Sequence, residues 1–339
     1  MASDSFNSSS SSFILVGIPG LESFSTWLGV LFCSAYVMAL VGNGAVLLVT
    51  GLDKSLCAPT HRLLAMLAGT DVVLVSAVTP KMLGVLWLSH ARVGTVACFA
   101  QMFLVHSTTS VESGLLLAMA VDRYVAICHP LRYHAMLSAH TIAQLGLAIV
   151  LRAVLVVVPL AGLVTSLPFC GSRAVPHSYC EHLAVARLAC ASPAPTALYS
   201  MAASSLIAGM DVAVVGVSYA MILRAVPGQE SRRKALGTCG SHLCVVLLFY
   251  VPGLASIYAQ HGGSAIPAPA RVLLANLYLA LPATLNPLVY SLRTRRIRQA
   301  LLRMLLPSRA RAGHSSPCFA RQVHPCQGRT SCIPRECPC

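Results

Sequence analysis

The chain has 339 residues, 56% of them hydrophobic and only 10% charged, with a mean hydropathy of +0.73. That balance excludes a soluble domain with a solvated surface and describes a membrane protein. The formal charge of +14 reads as a topology signal and not as a nucleic-acid surface, because the basic residues collect on one side of the apolar segments.

Residues 1–25 are Ser-rich and polar and lack the basic-then-apolar pattern of a cleaved signal. The first span, beginning near Trp27, is therefore expected to direct its own insertion. Asn7-Ser8-Ser9 is a glycosylation sequon in this segment, a triplet that also arises often by chance. Roughly seven apolar stretches of about twenty residues follow, each long enough to cross a bilayer. They are centred near Ala39, Val75, Leu115, Leu151, Ala208, Leu247 and Tyr278. Residues 26–292 thus predict an all-α membrane protein, a seven-transmembrane-helix bundle of one domain without repeats.

An odd number of spans puts the two termini on opposite faces. Lys54, Arg62, Arg123, Arg132, Arg224, Arg232, Arg233, Lys234 and the tail from Arg293 onward mark one face as cytosolic. The other face carries Lys81, Arg92, Arg173, Arg187 and Arg271. A multi-pass protein of the plasma membrane with an extracellular N-terminus is expected. Pro159, Pro252 and Pro287 fall inside predicted spans, where each frees a carbonyl and bends its helix; ordinary kinks are the commoner outcome and hinges the rarer one.

Cys98, at the outer end of span three, and Cys170, Cys180 and Cys190, in a long outer loop over about 166–195, meet oxidising conditions during export. Four cysteines allow three pairings, and the sequence leaves that choice open. Cys33, Cys57, Cys128, Cys239 and Cys244 read as packing thiols. At the other end, residues 293–306 predict a short amphipathic helix on the inner leaflet, with Ile297, Ala300, Leu301, Met304 and Leu305 along one side. Residues 307–339, rich in Arg and Cys, read as a disordered cytosolic tail. The spacing of Cys318, Cys326, Cys332, Cys337 and Cys339 fits no tetrahedral metal pattern.

Polar residues at bilayer depth carry the functional signal, because a buried charge there needs a cavity or a partner. Asp71, Glu112 and Asp211 qualify, as do His106, Arg152 and His242. By helix rise Glu112 stands about 16 Å from Arg123, near mid-membrane. With Asp71 and Asn286 at similar depth, three oxygen donors suit a small hard cation such as sodium. Helix-locking hydrogen bonds among the same groups are the competing reading, and residue types alone weigh the two evenly.

Several stretches together resemble the odorant receptors, a branch of the rhodopsin-like G-protein-coupled receptors. They are Phe13 to Glu22 (FILVGIPGLE), Gly42-Asn43, Ala118 to Cys128 (AMAVDRYVAIC), Ser218-Tyr219, Lys234 to His242 (KALGTCGSH), Phe249 to Pro252 (FYVP) and Asn286 to Tyr290 (NPLVY). The Gly-Ile-Pro-Gly-Leu-Glu opening is similar to the class I, or fish-like, branch. The resemblance runs from about Phe13 to Leu306 and implies a receptor, not an enzyme.

It implies roles residue by residue. Asp122, Arg123 and Tyr124 would form the G-protein switch, with Arg123 held by Asp122 at rest and released when span six swings outward. Asp71, Glu112 and Asn286 would be the sodium site, and the disulfides would be Cys98–Cys180 and Cys170–Cys190. The ligand pocket would involve His106, His182, Ser200, Ser204, Ile257 and His261. A small-molecule odorant, a stimulatory G protein and cyclic AMP follow from the resemblance, with no cofactor beyond a possible sodium ion. The class I branch often places a basic side chain at the outer end of span six, where this chain has Gln260-His261; a neutral histidine supplies no fixed charge for an acid. Pro59-Thr60-His61 stands where the family has Pro-Met-Tyr.

Two other functions compete. One is a receptor for a non-odorant metabolite, such as a short organic acid, in non-olfactory tissue. The other, of a different class, is an ion or proton carrier relaying through Asp71, Glu112 and Asp211. A light receptor would need a Schiff-base lysine in the last span, and residues 272–292 contain none.

Overall fold

The structure, a computed structural model, describes residues 12–53, 56, 58–88, 91–262, 265–293 and 295–305. Asn7 and the tail cysteines lie outside them. In chain order the helices are α1 (Ser25–Leu52), α2 (Pro59–Leu88), α3 (Thr95–Cys128), α4 (Tyr133–Met136), α5 (Ala139–Thr165), α6 (His182–Ala186), α7 (Ala194–Ala225), α8 (Gln229–His261), α9 (Ala268–Arg293) and α10 (Arg295–Leu305). The long ones, α1, α2, α3, α5, α7, α8 and α9, are the seven spans.

Six of the seven are apolar and long enough to cross a membrane on composition alone. The remaining one, α3, has 34 residues, about 50 Å at ~1.5 Å each, but Gln101, His106, Glu112, Asp122 and Arg123 dilute its apolar content. It packs against α2, α5, α7 and α8, so these polar side chains can meet protein instead of lipid. Leu155, Leu198 and Leu206, more than 70% exposed, face outward from the bundle as a lipid-exposed belt should.

One polar contact shows how a helix break is repaired. Pro287 lacks the N–H that would bond the Ala283 carbonyl four residues back. Asn43 Nδ2 donates to that carbonyl at 2.8 Å and to the Ala39 carbonyl at 3.0 Å. Gly42 lets α1 come this close to α9, since a Cβ there would sit 2.7 Å from the Pro287 ring.

The structure adds two features to the expected helical bundle. First, β1 (Ser12–Leu15) pairs antiparallel with β2 (Arg92–Gly94) and parallel with β3 (Ala174–Val175). This small sheet caps the N-terminal end of the bundle, hereafter the sheet end. Phe13 and Leu15 point inward, and the Phe13 ring meets Phe169 and Phe99 edge-on at 5.3 and 6.1 Å. Second, the apolar stripe of α10 serves the protein and not only a leaflet. Ile297 is fully buried and Ala300 packs with Val49 and Leu56 at the far end of α1. We call that end, where Arg123 and Arg132 lie, the basic end.

The cysteines at the sheet end are bonded Cys98–Cys180 and Cys170–Cys190. The first ties the loop after α5 to the start of α3, and Gln101 reinforces it by accepting from the Cys180 N–H at 2.9 Å. The loop is thereby held across the mouth of the bundle.

Candidate functional site

Beneath that loop lies a cavity of about 180 Å³ between α3, α5, α7, α8 and α9. His106, His182, Ser200, Ser204, Ile257 and His261 all line it, beside an apolar wall that includes Val105, Leu160, Ile207 and Leu254. Helical spacing explains the convergence, because Ser200 and Ser204 are four apart on α7, as Ile257 and His261 are on α8.

The polar groups differ in what they leave free. His261 Nδ1 lies 2.8 Å from the Ile257 carbonyl, and its Nε2 faces the Ala197 carbonyl at 3.1 Å and Ser200 Oγ at 3.3 Å. Each nitrogen thus faces a protein oxygen, and a ring carrying one N–H donates to only one of them. Ser200 and Ser204 donate to the carbonyls of Ala197 and Ser200, at 3.1 and 2.5 Å. At the roof His182 Nδ1 lies 2.7 Å from Glu181 Oε1. His106 meets the His182 ring edge-on at 4.7 Å. Burial opposes the charge of Glu181, but His182, His177 and the Ala184 N–H outweigh it and hold the carboxyl below its usual range. Burial also lowers His177 to about 4.

The floor contains an ion pair whose carboxylate is buried. Arg152 Nη1 donates to both oxygens of Asp211, at 2.9 and 3.1 Å, and Arg152 Nη2 donates to Ser113 Oγ at 3.0 Å. Ser113 and Tyr250, which both line the cavity, donate to Asp211 Oδ2, Tyr250 at 3.2 Å. One aspartate on α7 therefore gathers groups from α3, α5 and α8, and its own side chain is fully buried. Such a charge is tolerated because every oxygen is met.

Closer to the basic end, Asn286 Nδ2 donates to Asp71 Oδ2 at 3.1 Å. Asp71 Oδ1, Glu112 Oε1 and Asn286 Oδ1 are buried and have no partner. Three unmet oxygens of this kind fit a small hard cation. His242 bridges toward the end of the bundle, its Nδ1 2.7 Å from the Tyr219 hydroxyl and its Nε2 3.1 Å from the Leu116 carbonyl.

At the basic end, Arg123 Nη2 and Nε donate to Asp122 Oδ2 at 2.6 and 3.1 Å. Arg123 Nη2 also meets Thr60 Oγ1, while Thr60 donates to Asp122 Oδ2 at 2.8 Å. Tyr133 donates to Asp122 Oδ1 at 2.7 Å. Its phenol is pushed up to about 12, by burial and the Asp122 charge against the opposing Thr60 bond, and so remains a donor. Tyr124 is not part of this cluster; its hydroxyl lies 3.3 Å from His129 Nε2.

A seven-helix membrane bundle with a cavity at one end and the Asp122–Arg123 cluster at the other has the form of a transmembrane receptor. The model of the olfactory receptor family matches residues 32–308. Human olfactory receptor 52I2 is 47% identical over 299 residues, covering 87% of this chain and 85% of that one. Human olfactory receptor 52I1 is 46% identical over the same length, covering 87% of this chain and 92% of that one. The chain belongs to the olfactory receptor family, whose members are G-protein-coupled receptors and not enzymes.

Sequence reading did not find Thr60 and Tyr133 in the Asp122–Arg123 cluster, Tyr250 on the cavity floor, or Glu181 at its roof. Nor did it pair Arg152 with Asp211. A lone arginine and a lone aspartate at similar depth in two spans were the available signal, since each requires a partner.

Proposed function

We propose that this chain is an odorant receptor of the plasma membrane, with its sheet end and N-terminus outside. It binds a small, partly apolar ligand in the cavity and activates a stimulatory, olfactory-type G protein, raising cyclic AMP. The observation that carries this reading is the bonding of the cavity floor, Ser113 and Tyr250, to the Arg152–Asp211 pair that joins four spans. A ligand resting on that floor favours one arrangement of α8 against α3 and α7, and so shifts a two-state bundle. Arg123 is the output, freed from Asp122 and Thr60 when α8 moves. The commitment of Asp211 to Arg152 speaks against its use in an ion or proton relay.

The test is cyclic AMP in cells carrying the chain and an olfactory-type G protein, challenged with a panel of acids, alcohols, esters and ketones. Arg123→Ala is expected to abolish the response at unchanged surface level. Preserved signalling at equal expression would remove Arg123 from the switch.

Asp71, Glu112 and Asn286 are the proposed sodium ligands, supported by their three unmet buried oxygens. Bound sodium would stabilise the resting arrangement by neutralising two carboxylates. Sodium is expected to raise the melting temperature of the purified receptor relative to a large organic cation, and Asp71→Asn to remove that difference. A sodium shift that survives Asp71→Asn would locate the ion elsewhere.

A further inference from the structure

We infer that the ligand reaches the cavity from the bilayer, through the seam between α7 and the sheet-end half of α8, and that the hydroxyls of Ser205 and Tyr258 hold this seam shut. The inference rests on the receptor reading above and adds the ligand's route to it.

The roof is closed. Tyr179, Glu181 and His182 line the cavity from the loop and are at most 8% exposed, and α6 behind them is buried throughout. Cys98–Cys180 pins this part of the loop to α3, and Ser178 Oγ donates to Asn276 Oδ1 on α9 at 2.9 Å. The wall differs. Ala203, Ser204 and Ile207 on α7, with Leu254 and Ile257 on α8, line the same cavity and yet are half-buried. The roof residues face that cavity too, so its own surface does not account for the difference.

The wall is one side chain thick. Successive helical residues point about 100° apart, so Ser204 and Ile257 face the cavity while their neighbours Ser205 and Tyr258 turn toward the seam. There the two hydroxyls meet at 3.2 Å, and Tyr258 is 48% exposed on the lipid side. Other polar bridges across the seam lie to either side. His261 meets Ala197 and Ser200 toward the sheet end, and Tyr250 donates to Asp211 toward the middle. Tyr250 and His261 enclose a window of about 16 Å of helix rise, which the Ser205–Tyr258 bond spans. At this level α8 leans the other way. Gly253 lets it lie against α9, since a Cβ there would stand 2.8 Å from the Tyr278 ring. Pro252, inside α8, lacks the N–H that would bond the Leu248 carbonyl and keep the two halves of the helix in line.

Ligand chemistry suits this route. A small, partly apolar molecule concentrates in hydrocarbon. A hydroxyl exposed there needs a partner, so Ser205 and Tyr258 favour the closed seam by bonding each other. One polar group on a passing ligand substitutes for either partner while the seam is open.

The test follows entry with N-ethylmaleimide, a small uncharged thiol reagent that dissolves in bilayers, on the full-length receptor in lipid nanodiscs. Ser110, half-buried on the α3 side of the cavity, is replaced by Cys. Its alkylation rate is read by mass spectrometry of that peptide, which keeps the native thiols out of the signal. Two further substitutions each remove one hydroxyl, Tyr258→Phe from the wall and Ser178→Ala from the roof. Tyr258→Phe is expected to raise the rate about fivefold, as loss of one hydrogen bond from the closed state requires. Ser205→Ala, which breaks the same bond from the other side, should match it, and Ser178→Ala should leave the rate unchanged. A rate insensitive to both Tyr258→Phe and Ser205→Ala would overturn the inference, as would an acceleration by Ser178→Ala as large as theirs. A Cys at position 110 that stays unmodified in every variant would overturn it too. Cyclic AMP separates the two claims. Faster alkylation in Tyr258→Phe without any cyclic AMP from the ligand panel would support the route and count against the receptor reading, whereas cyclic AMP responses with alkylation governed by Ser178 would do the reverse.

Discussion

Two arginine–aspartate pairs sit at different depths of this bundle and are built differently. Arg152 and Asp211 come from α5 and α7, far apart in sequence, and the guanidinium grips both carboxylate oxygens while Ser113 and Tyr250 fill the remaining positions. Asp122 and Arg123 are chain neighbours on α3, with the Arg123 side chain 23% exposed, and only hydroxyls, those of Thr60 and Tyr133, join them to other elements. The first pair ties helices together by charge, with Asp211 fully buried and Arg152 22% exposed, and losing one partner strands the other. The second is as buried, but only single hydroxyl bonds tie it to other elements, so that removing one leaves the ion pair itself in place. In the proposed mechanism the first joint transmits and the second opens.

The largest effect should come from breaking the deep pair. Asp211→Ala strands Arg152 and is expected to cost roughly 3–5 kcal/mol, seen as loss of folded receptor at the surface. The double substitution Arg152→Met with Asp211→Leu should recover much of that surface expression without recovering signalling. If Asp211→Ala reaches the surface at the original level, the pair is not the strut described here.

The shallow pair should respond mildly. Thr60→Val removes a bond to Asp122 and one to Arg123 and keeps the side-chain shape. Its expected cost is about 1 kcal/mol to the resting state, read as basal cyclic AMP raised roughly fivefold at equal expression. Unchanged basal signalling would show that Thr60 does not bias that pair.

The smallest expected effect lies above the cavity, in the loop over 166–193. A free histidine titrates near 6.5, whereas His177 in the folded loop is lowered to about 4 by burial. Between those values the unfolded loop binds a proton that the folded loop refuses, so this contribution is complete above about 6.5 and declines as pH falls toward 4. Glu181, also lowered, acts in the same direction. Amide exchange in this loop, corrected for intrinsic rates, is expected to be faster at mildly acidic than at neutral pH. His177→Phe, which has no proton to gain, should reduce that difference.

The helices were legible because each span needs a run of apolar residues as long as the bilayer is thick. β1 was not, since four residues, Ser12–Leu15, give too short an alternation to stand out beside a Ser-rich segment. The periodicity of α10 was legible while its burial against Val49 and Leu56 was not, because periodicity identifies a face and not what covers it. The same limit applies to the site. Asp71, Glu112, Arg152 and Asp211 stood out by the cost of a charge at depth, but which charges pair depends on how α3, α5 and α7 face one another. Thr60 stood out only as a departure from the family's Pro-Met-Tyr, and nothing placed it beside an aspartate 62 positions away.

In the proposed mechanism, coupling between the cavity and the Asp122–Arg123 pair would run through the Tyr250 hydroxyl, 3.2 Å from Asp211 Oδ2. Tyr250→Phe removes that hydroxyl and keeps the ring against Phe249. The decisive measurement is the maximal cyclic AMP response of Tyr250→Phe to an identified agonist, at matched surface expression and saturating ligand. The account predicts a response reduced about tenfold or more, with expression near that of the parent. A full maximal response would show that the ligand reaches Arg123 by a route that bypasses the Arg152–Asp211 pair.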